Sequence, residues 1–181
     1  YVLNPRWIHA YGRATGQRGK TDRSDAALIA RYVQSEAKDL HAYELPSVEQ
    51  ARLRYLLLRR QELVKLRGAT RQSFGPEALE VIAGFNRLLR SLEREIHQLI
   101  KAHATWHESA QRLRRIPGVG PIVAAHLVQV LTRIPFASGD AFIAHTGTDP
   151  RPNDSGQKRG RRRISHHGDA TLRQMLFMAA M

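Results

Sequence analysis

The stretch IAGFNRLLRSLEREIHQLIKAHATW, residues 82–106, decides the fold class. Mostly apolar side chains recur in it at alternating spacings of three and four residues, at Ile82, Phe85, Leu89, Leu92, Ile96, Leu99, His103 and Trp106. This spacing is typical of a long helix that packs along one face against another helix. It predicts a mainly α protein built around a long helix.

A second long helix is predicted immediately before it. Ser47 follows Pro46, and Gln50 stands three residues further on, which is a capping-box pattern at a helix start. The helix is expected to run to about Ser73, where FGP at 74–76 interrupts it. Its apolar stripe comprises Leu53, Leu56, Leu57, Leu63, Val64 and Leu66. The pair is either a hairpin within one chain or a coiled coil between two chains.

The stretch LRRIPGVGPIVAAHLVQVL, residues 113–131, has the pattern of a helix-hairpin-helix. Gly118 and Gly120 would let the backbone approach a phosphate, and the start of the second helix would point amides at it. Arg114 and Arg115 stand beside the turn. These features predict sequence-independent contacts with nucleic acid. The alternative is a helical turn without a ligand.

Composition points to a polyanionic partner. The 181 residues contain 29 Lys and Arg against 16 Asp and Glu, a formal net charge of +13 and a pI of about 11.1. DNA or RNA is favoured over a membrane, since no apolar run approaches the roughly 20 residues of a spanning helix. A ribosome-like binder would be equally basic. The absence of cysteine excludes disulfides and thiol chemistry.

Two acids near the front are candidate metal ligands. YVLN at 1–4 is predicted to end a strand that Pro5 closes, and Asp22 to cap a helix running to about Val33. Asp25 lies three residues after Asp22, so both carboxylates can face one side and hold a divalent ion. Spacing alone favours simple capping. Lys20 and Arg23 beside the acids suit a phosphodiester site.

A candidate nucleophile stands in DSGQKRGRRRISHHGD, residues 154–169. Ser155 would need an activated hydroxyl and a stabilised leaving oxygen. The cations that could neutralise a phosphate there are Lys158, Arg159, Arg161, Arg162 and Arg163. On this local pattern alone, a turn serine is the simpler interpretation.

Three motifs in order resemble one family. The run from Gly147 to Ala180, with Ser155-Gly156, Ile164-Ser165 and Leu172-Arg173, resembles the C-terminal domain of the IS116/IS110/IS902 insertion-sequence transposases. KTDRSDAALIA resembles the last acidic motif of that family's RuvC-like domain, and IPGVG matches in order. Thr148 and Asp149 depart from the pattern, replacing the Leu-Ala of GLAP, and His166 and His167 replace a lysine and another polar residue.

The resemblance implies a composite active site. Asp22 and Asp25 would be the last two of four metal-binding acids, holding Mg²⁺ in an RNase H-like fold. Ser155 would attack DNA and form a transient phosphoserine link. DNA, a guide (bridge) RNA and a homo-oligomer, dimer or tetramer, are the implied partners, in the bacterial cytoplasm. Because the chain starts after the family's first two acids, it is expected to be a fragment that binds nucleic acid without cleaving it.

The expected organisation has three parts. Residues 1–45 would be the end of a RuvC-like α/β domain, 46–108 a helical hairpin or coiled coil, and 109–181 a small α-helical domain with the helix-hairpin-helix and the serine motif. The expected function is DNA cutting and rejoining in transposition. The competing interpretation is a non-catalytic helix-hairpin-helix protein that binds DNA or RNA.

Overall fold

The computed structural model of the chain describes residues 1–17, 19, 21–38, 40, 42–152, 154–155 and 160–181. Three of the predicted phosphate-binding residues, Lys20, Lys158 and Arg159, lie outside the described residues. The chain divides into two compact units, Tyr1–Leu45 and Pro46–Met181.

The first unit is a pair of helices, α1 (Pro5–Ala14) and α2 (Asp22–Ser35). Residues 1–4 form no strand, so the prediction of a strand end there is wrong. Asn4 instead caps α1, its side chain accepting a hydrogen bond from the Arg6 amide at 3.0 Å. The helices pack through Leu28, which lies against Gly12, and through the Tyr11 and Tyr32 rings, with centroids 5.3 Å apart.

The second unit begins with the predicted pair of long helices. They are α3 (Val48–Phe74) and α4 (Leu79–Ala102), joined by a 3-10 turn at Gly75–Ala78. Ser47 and Gln50 form the capping box that the sequence predicts. The helices run antiparallel. They are connected by ion pairs from Arg52 to Glu95 and from Arg60 to Glu93, and by a hydrogen bond from Arg67 to Asn86. The pair is therefore a hairpin within one chain, and pairing with a second chain stays a prediction.

The helix predicted to continue through Trp106 breaks earlier. The backbone of His103 is extended, with φ −110° and ψ 111°, and it separates α4 from α5 (Ala104–Leu113). Trp106 still belongs to the apolar core, because α5 folds back after the break and buries its ring. After a turn, α6 (Pro121–Leu131) completes this core. Its buried members are Leu53, Leu56, Leu57, Ile96, Ile100, Trp106, Ala110, Ala124, Ala125 and Val128.

The end of the chain adds a small hairpin between two helices. After α7 (Gly139–Thr146), strands β1 (Pro150–Arg151) and β2 (Arg163–Ile164) pair antiparallel, with Pro150 opposite Ile164. The last helix, α8 (Ala170–Ala180), starts at its cap Asp169 and buries Leu172 against Leu127 and Val130. The prediction of a mainly α fold is thus confirmed.

Within the described ranges, we find no helix with the length and apolar character that crossing a bilayer would require.

Candidate functional site

The two acids of the first unit occupy the first turn of α2. Thr21, rather than the predicted Asp22, is the N-cap, and it forms a capping box with Ser24. Asp22 and Asp25 therefore both belong to the first turn of α2, where side chains three residues apart lie on the same side of the helix. Asp22 is exposed and Asp25 is half-buried. The two acids are therefore brought together and held by a capped helix start.

Asp25 is further held by a glutamine. The side-chain amide of Gln17 donates hydrogen bonds to Asp25 Oδ1 at 3.1 Å and to Ser24 Oγ at 3.3 Å. The Gln17 Oε1 atom is buried and has no hydrogen-bond partner among the described residues. Both residues line an open groove of about 920 Å³ between α1 and α2. The Gln17 amide nitrogen thus faces the Asp25 carboxylate, while its oxygen is buried.

The donor chemistry at this place fits part of a Mg²⁺ site. Mg²⁺ prefers oxygen ligands and is commonly held by one or two carboxylates together with water or phosphate oxygens. The carboxylates of Asp22 and Asp25 supply such oxygens. No group of three or more His, Cys, Asp or Glu residues gathers in the part of the chain that is described. These two acids alone do not complete the set of four metal-binding acids that the resemblance implies.

The turn between α5 and α6 contains one glycine, Gly118, whose backbone conformation and packing both require the absence of a side chain. Gly118 has φ +83°, and a Cβ there would lie 1.9 Å from the carbonyl oxygen of Ala179 on α8. Gly120 is the N-cap of α6 without a side-chain cap. Packing against α8 is thus sufficient to explain Gly118, while Arg114 and Arg115 beside it are exposed.

Ser155 lies in the connection 152–162 between β1 and β2, and it is exposed. Its neighbour Asp154 folds back on this connection, accepting a hydrogen bond from the Gly160 amide at 3.0 Å. The Asp154 carboxylate also lies 3.9 Å from the guanidinium of Arg162. Among the described residues, no hydrogen bond to the Ser155 side chain is formed, so nothing described there activates its hydroxyl.

The described arginines of the predicted interface are open to solvent. Arg23 stands on the first turn of α2, Arg114 and Arg115 follow α5, and Arg161 and Arg163 flank Arg162 next to β2. All six are exposed. Of these six, Arg162 alone forms an ion pair with a described carboxylate, at the long distance given above. The remaining five have no ion pair with any described acid.

Sequence reasoning missed the polar base of the hairpin. Asp149 accepts hydrogen bonds from the Ser165 hydroxyl and from Arg151 Nε, the latter at 3.2 Å. The Ser165 hydrogen bond, with a smaller effect from Arg151, holds the pKa of the Asp149 carboxyl below its ordinary value. The only sequence signal was the departure of Thr148-Asp149 from Leu-Ala.

Next to the hairpin, the segments 145–149 and 165–169 run side by side in close backbone contact, with hydrogen bonds from the Ser165 amide to the Asp149 carbonyl and from the His166 amide to the Gly147 carbonyl. A Cβ on Gly168 would lie 1.9 Å from the His145 carbonyl oxygen, and one on Gly147 would lie 2.5 Å from the Gly168 nitrogen. Gly147 also has φ +67°. The main chains at 145–149 and 165–169 are therefore in direct contact, which fixes both ends of the hairpin relative to α7 and α8.

One buried titratable group lies in the second unit away from the serine. His126 on α6 is 7% exposed, and burial lowers its pKa from 6.5 to about 4. Asp169 opposes this shift and Arg60 adds to it. The ring is therefore neutral near pH 7 and serves as part of the core.

Two family models match different parts of the chain. Residues 110–181 match the model of the Transposase IS116/IS110/IS902 family, and residues 1–75 match a transposase model of the DEDD type from the same group. Among individual proteins, the pilin gene-inverting protein of Moraxella lacunata is 32% identical over 99% of this chain. That alignment covers 58% of the Moraxella protein.

Two insertion-sequence transposases are also similar. The transposase for IS1328 of Yersinia enterocolitica is 39% identical over 48% of this chain and 26% of its own length. The transposase for IS1111A of Coxiella burnetii is 26% identical over 99% of this chain and 58% of its own length. The chain thus spans somewhat over half the length of the full-coverage relatives. With matches to both family models, in the order that the motifs predict, the chain belongs to the IS116/IS110/IS902 family of transposases.

Proposed function

We propose that this chain is part of a recombinase that cuts and rejoins DNA, with Ser155 as nucleophile and Asp22 and Asp25 as metal-binding acids. The observation that carries the proposal is the exposure of Ser155 on a firmly anchored hairpin, in a chain that also presents two carboxylates on one capped helix turn. The names of the relatives support strand rearrangement, since one inverts a pilin gene and others are transposases.

The acids have an electrostatic role in this proposal. A bound divalent cation, Mg²⁺ by the chemistry of its oxygen ligands, would stabilise charge on the phosphodiester oxygens. Asp22 and Asp25 would supply two ligands, and the Gln17 amide would keep the Asp25 carboxylate in place. The other acids of the set would come from outside these 181 residues.

The covalent step is a transfer of one phosphoryl bond. The Ser155 oxygen attacks the phosphorus of a DNA phosphodiester and forms a P–O bond to serine. The bond from phosphorus to one deoxyribose oxygen breaks, and that oxygen leaves with the electron pair and takes a proton. The hydroxyl proton of Ser155 passes to solvent or to a base. Attack by another deoxyribose hydroxyl then reverses the step and rejoins the strand.

The basic residues have a binding role. The exposed residues Arg23, Arg114, Arg115, Arg161, Arg162 and Arg163 are proposed to contact backbone phosphates, together with Lys20, Lys158 and Arg159 and with the Gly118 and Gly120 turn. Contacts of this kind release counterions, so binding is expected to weaken steeply with salt. The α3–α4 hairpin is proposed to assemble a homo-oligomer and to contact a guide RNA.

The decisive experiment changes Ser155 to Ala in a full-length protein that contains this chain. We expect the covalent protein–DNA adduct and recombination to fall below detection, because no other oxygen replaces the attacking atom. DNA affinity is expected to stay within about twofold, since the hydroxyl contributes one contact among many phosphate contacts. The readouts are adduct formation on denaturing gels and filter binding.

The matched control is Thr105→Ala, which removes an exposed hydroxyl from α5, outside the α3–α4 hairpin. This variant should form the adduct at the normal rate. A Ser155→Ala protein that still forms the adduct would refute the role of Ser155. That result would favour the alternative function, a helix-hairpin-helix module that binds nucleic acid without catalysis.

A further inference from the structure

The polar contacts at the base of the Ser155 hairpin form a group that the proposed reaction does not use. Asp149 directly precedes β1 and Ser165 directly follows β2. In the β1–β2 register Pro150 faces Ile164 and Arg151 faces Arg163, so Asp149 and Ser165 are the next opposite pair. This pair closes the hairpin on the side away from Ser155.

The pair is joined twice. The Ser165 amide donates to the Asp149 carbonyl oxygen at 3.0 Å, and the Ser165 hydroxyl donates to the Asp149 carboxylate. The other carboxylate oxygen accepts from Arg151 Nε at 3.2 Å, so Asp149 binds both arms of the hairpin. Its side chain is 25% exposed, which limits competition from water.

Thr148, the other residue that departs from the family pattern, also forms a hydrogen bond at the base of the hairpin. The hydroxyls of Thr148 and Thr146 lie 2.7 Å apart, and Thr146 is fully buried. The carbonyl oxygen of Thr146 accepts from Arg173 on α8 at 2.9 Å. An apolar Leu-Ala pair at 148–149 could form neither the Thr146 contact nor the carboxylate contacts. Both departures therefore add hydrogen bonds to the base of one hairpin.

We propose that Asp149 is a positioning residue: its carboxylate joins the two arms of the hairpin through Ser165 and Arg151 and so fixes where Ser155 is presented to the DNA phosphate. The inference rests on the proposed function and adds a residue to it. Asp149 does not touch the reacting atoms. A nucleophile displaced by about 1 Å can lose up to about a hundredfold in rate, so this anchoring bears directly on the reaction.

The test uses a full-length protein that contains this chain, with Asp149→Ala, Asp149→Asn, Ser165→Ala and the Asp149→Ala/Ser165→Ala double variant. We expect Asp149→Ala to slow adduct formation about tenfold or more at saturating DNA, with DNA affinity and the midpoint of thermal unfolding little changed. Asp149→Asn keeps an oxygen that can accept from Ser165, and it should recover part of the rate. The double variant should be no slower than Asp149→Ala, because both substitutions remove the same Asp149–Ser165 hydrogen bond.

The matched control is Asp140→Ala, which removes an exposed carboxylate from the first turn of α7. It should leave the adduct rate unchanged. A normal rate in Asp149→Ala would overturn the positioning role while Ser155→Ala still abolishes the adduct. Equal losses of rate, affinity and thermal stability in Asp149→Ala and Asp149→Asn would also overturn it, since they indicate a purely structural residue.

Discussion

The two units of the chain differ in how their candidate residues are supported. In the first unit, the described residues that are buried are Gly12 and Leu28, and the acids sit on a helix start held by caps and one glutamine. In the second unit, two apolar clusters form the core, and the hairpin that carries Ser155 is joined to this core through α7 and α8. The serine is thus carried by a packed domain, whereas the acids are held by local hydrogen bonds. The following three predictions test this difference.

The largest effect is expected from a comparison of two glycines with positive φ, Gly118 in the second unit and Gly16 in the first. Gly118→Ala places a methyl group into the Ala179 carbonyl oxygen and adds left-handed strain, so we expect a loss of about 3 kcal/mol or more in the unfolding free energy of the second unit. Gly16 has φ +74° with open space around its Cβ position, so Gly16→Ala should cost only about 1 kcal/mol.

Denaturant unfolding followed by tryptophan fluorescence measures the first value. In a Trp7→Phe background, Trp106 is the only tryptophan, and it is buried in the second unit. Hydrogen exchange of the α1 and α2 amides measures the second. Equal costs for the two glycine variants would show that the Gly118 contact with α8 is absent.

An intermediate effect is expected from pH. Because the pKa of His126 is lowered to about 4, the unfolded chain binds a proton below pH 6.5 that the folded second unit excludes. Stability contributed by the neutral ring is therefore complete above that pH and is lost as pH falls. We expect about 2 kcal/mol of unfolding free energy to disappear between pH 8 and pH 5.

The measurement is denaturant unfolding of the second unit at several pH values, with His126→Leu as the comparison. This variant should lose about 2 kcal/mol less than the unchanged protein over the same interval. An unchanged pH dependence in His126→Leu would mean that the ring is not excluded from water as described.

The smallest effect is expected from the two capping boxes. Ser47→Ala and Thr21→Ala each remove one side-chain acceptor from a helix start, which costs about 1 kcal/mol locally. In the second unit this should appear as a small global loss, because α3 is fixed by its core. In the first unit it should appear as faster exchange of the α2 amides, including those beside Asp22 and Asp25. Unchanged exchange there would show that α2 has support beyond its cap.

The local features of the fold were accessible from sequence because they depend on neighbours along the chain. The Ser47–Gln50 box, the FGP interruption and the apolar stripes together predict the two long helices α3 and α4 and the break between them, which are present. The break at His103 was not predicted, since the apolar spacing continues through a single extended residue. The sequence does not distinguish Thr21 from Asp22 as the N-cap of α2, because Asp and Thr are both good caps and only the backbone conformation separates them.

The candidate site was accessible in part. Ser155, Asp22 and Asp25 were named from motifs, and their roles stay predictions. The Asp149–Ser165 contact was missed because it joins residues 16 positions apart across strands of two residues each. Strands that short carry no period-2 pattern. The contact of Gly118 with Ala179 joins even more distant parts of the sequence.

The close backbone contact at Gly147 and Gly168 has a consequence for the length of the connection that carries Ser155. Since this contact fixes both ends of the connection, we expect insertions and deletions within 152–162 to leave α7 and α8 undisturbed. Doubling the length of such a loop costs only about 0.6 kcal/mol in closure entropy. The segment that carries Ser155 can therefore change length at little cost, while the scaffold that carries it stays the same.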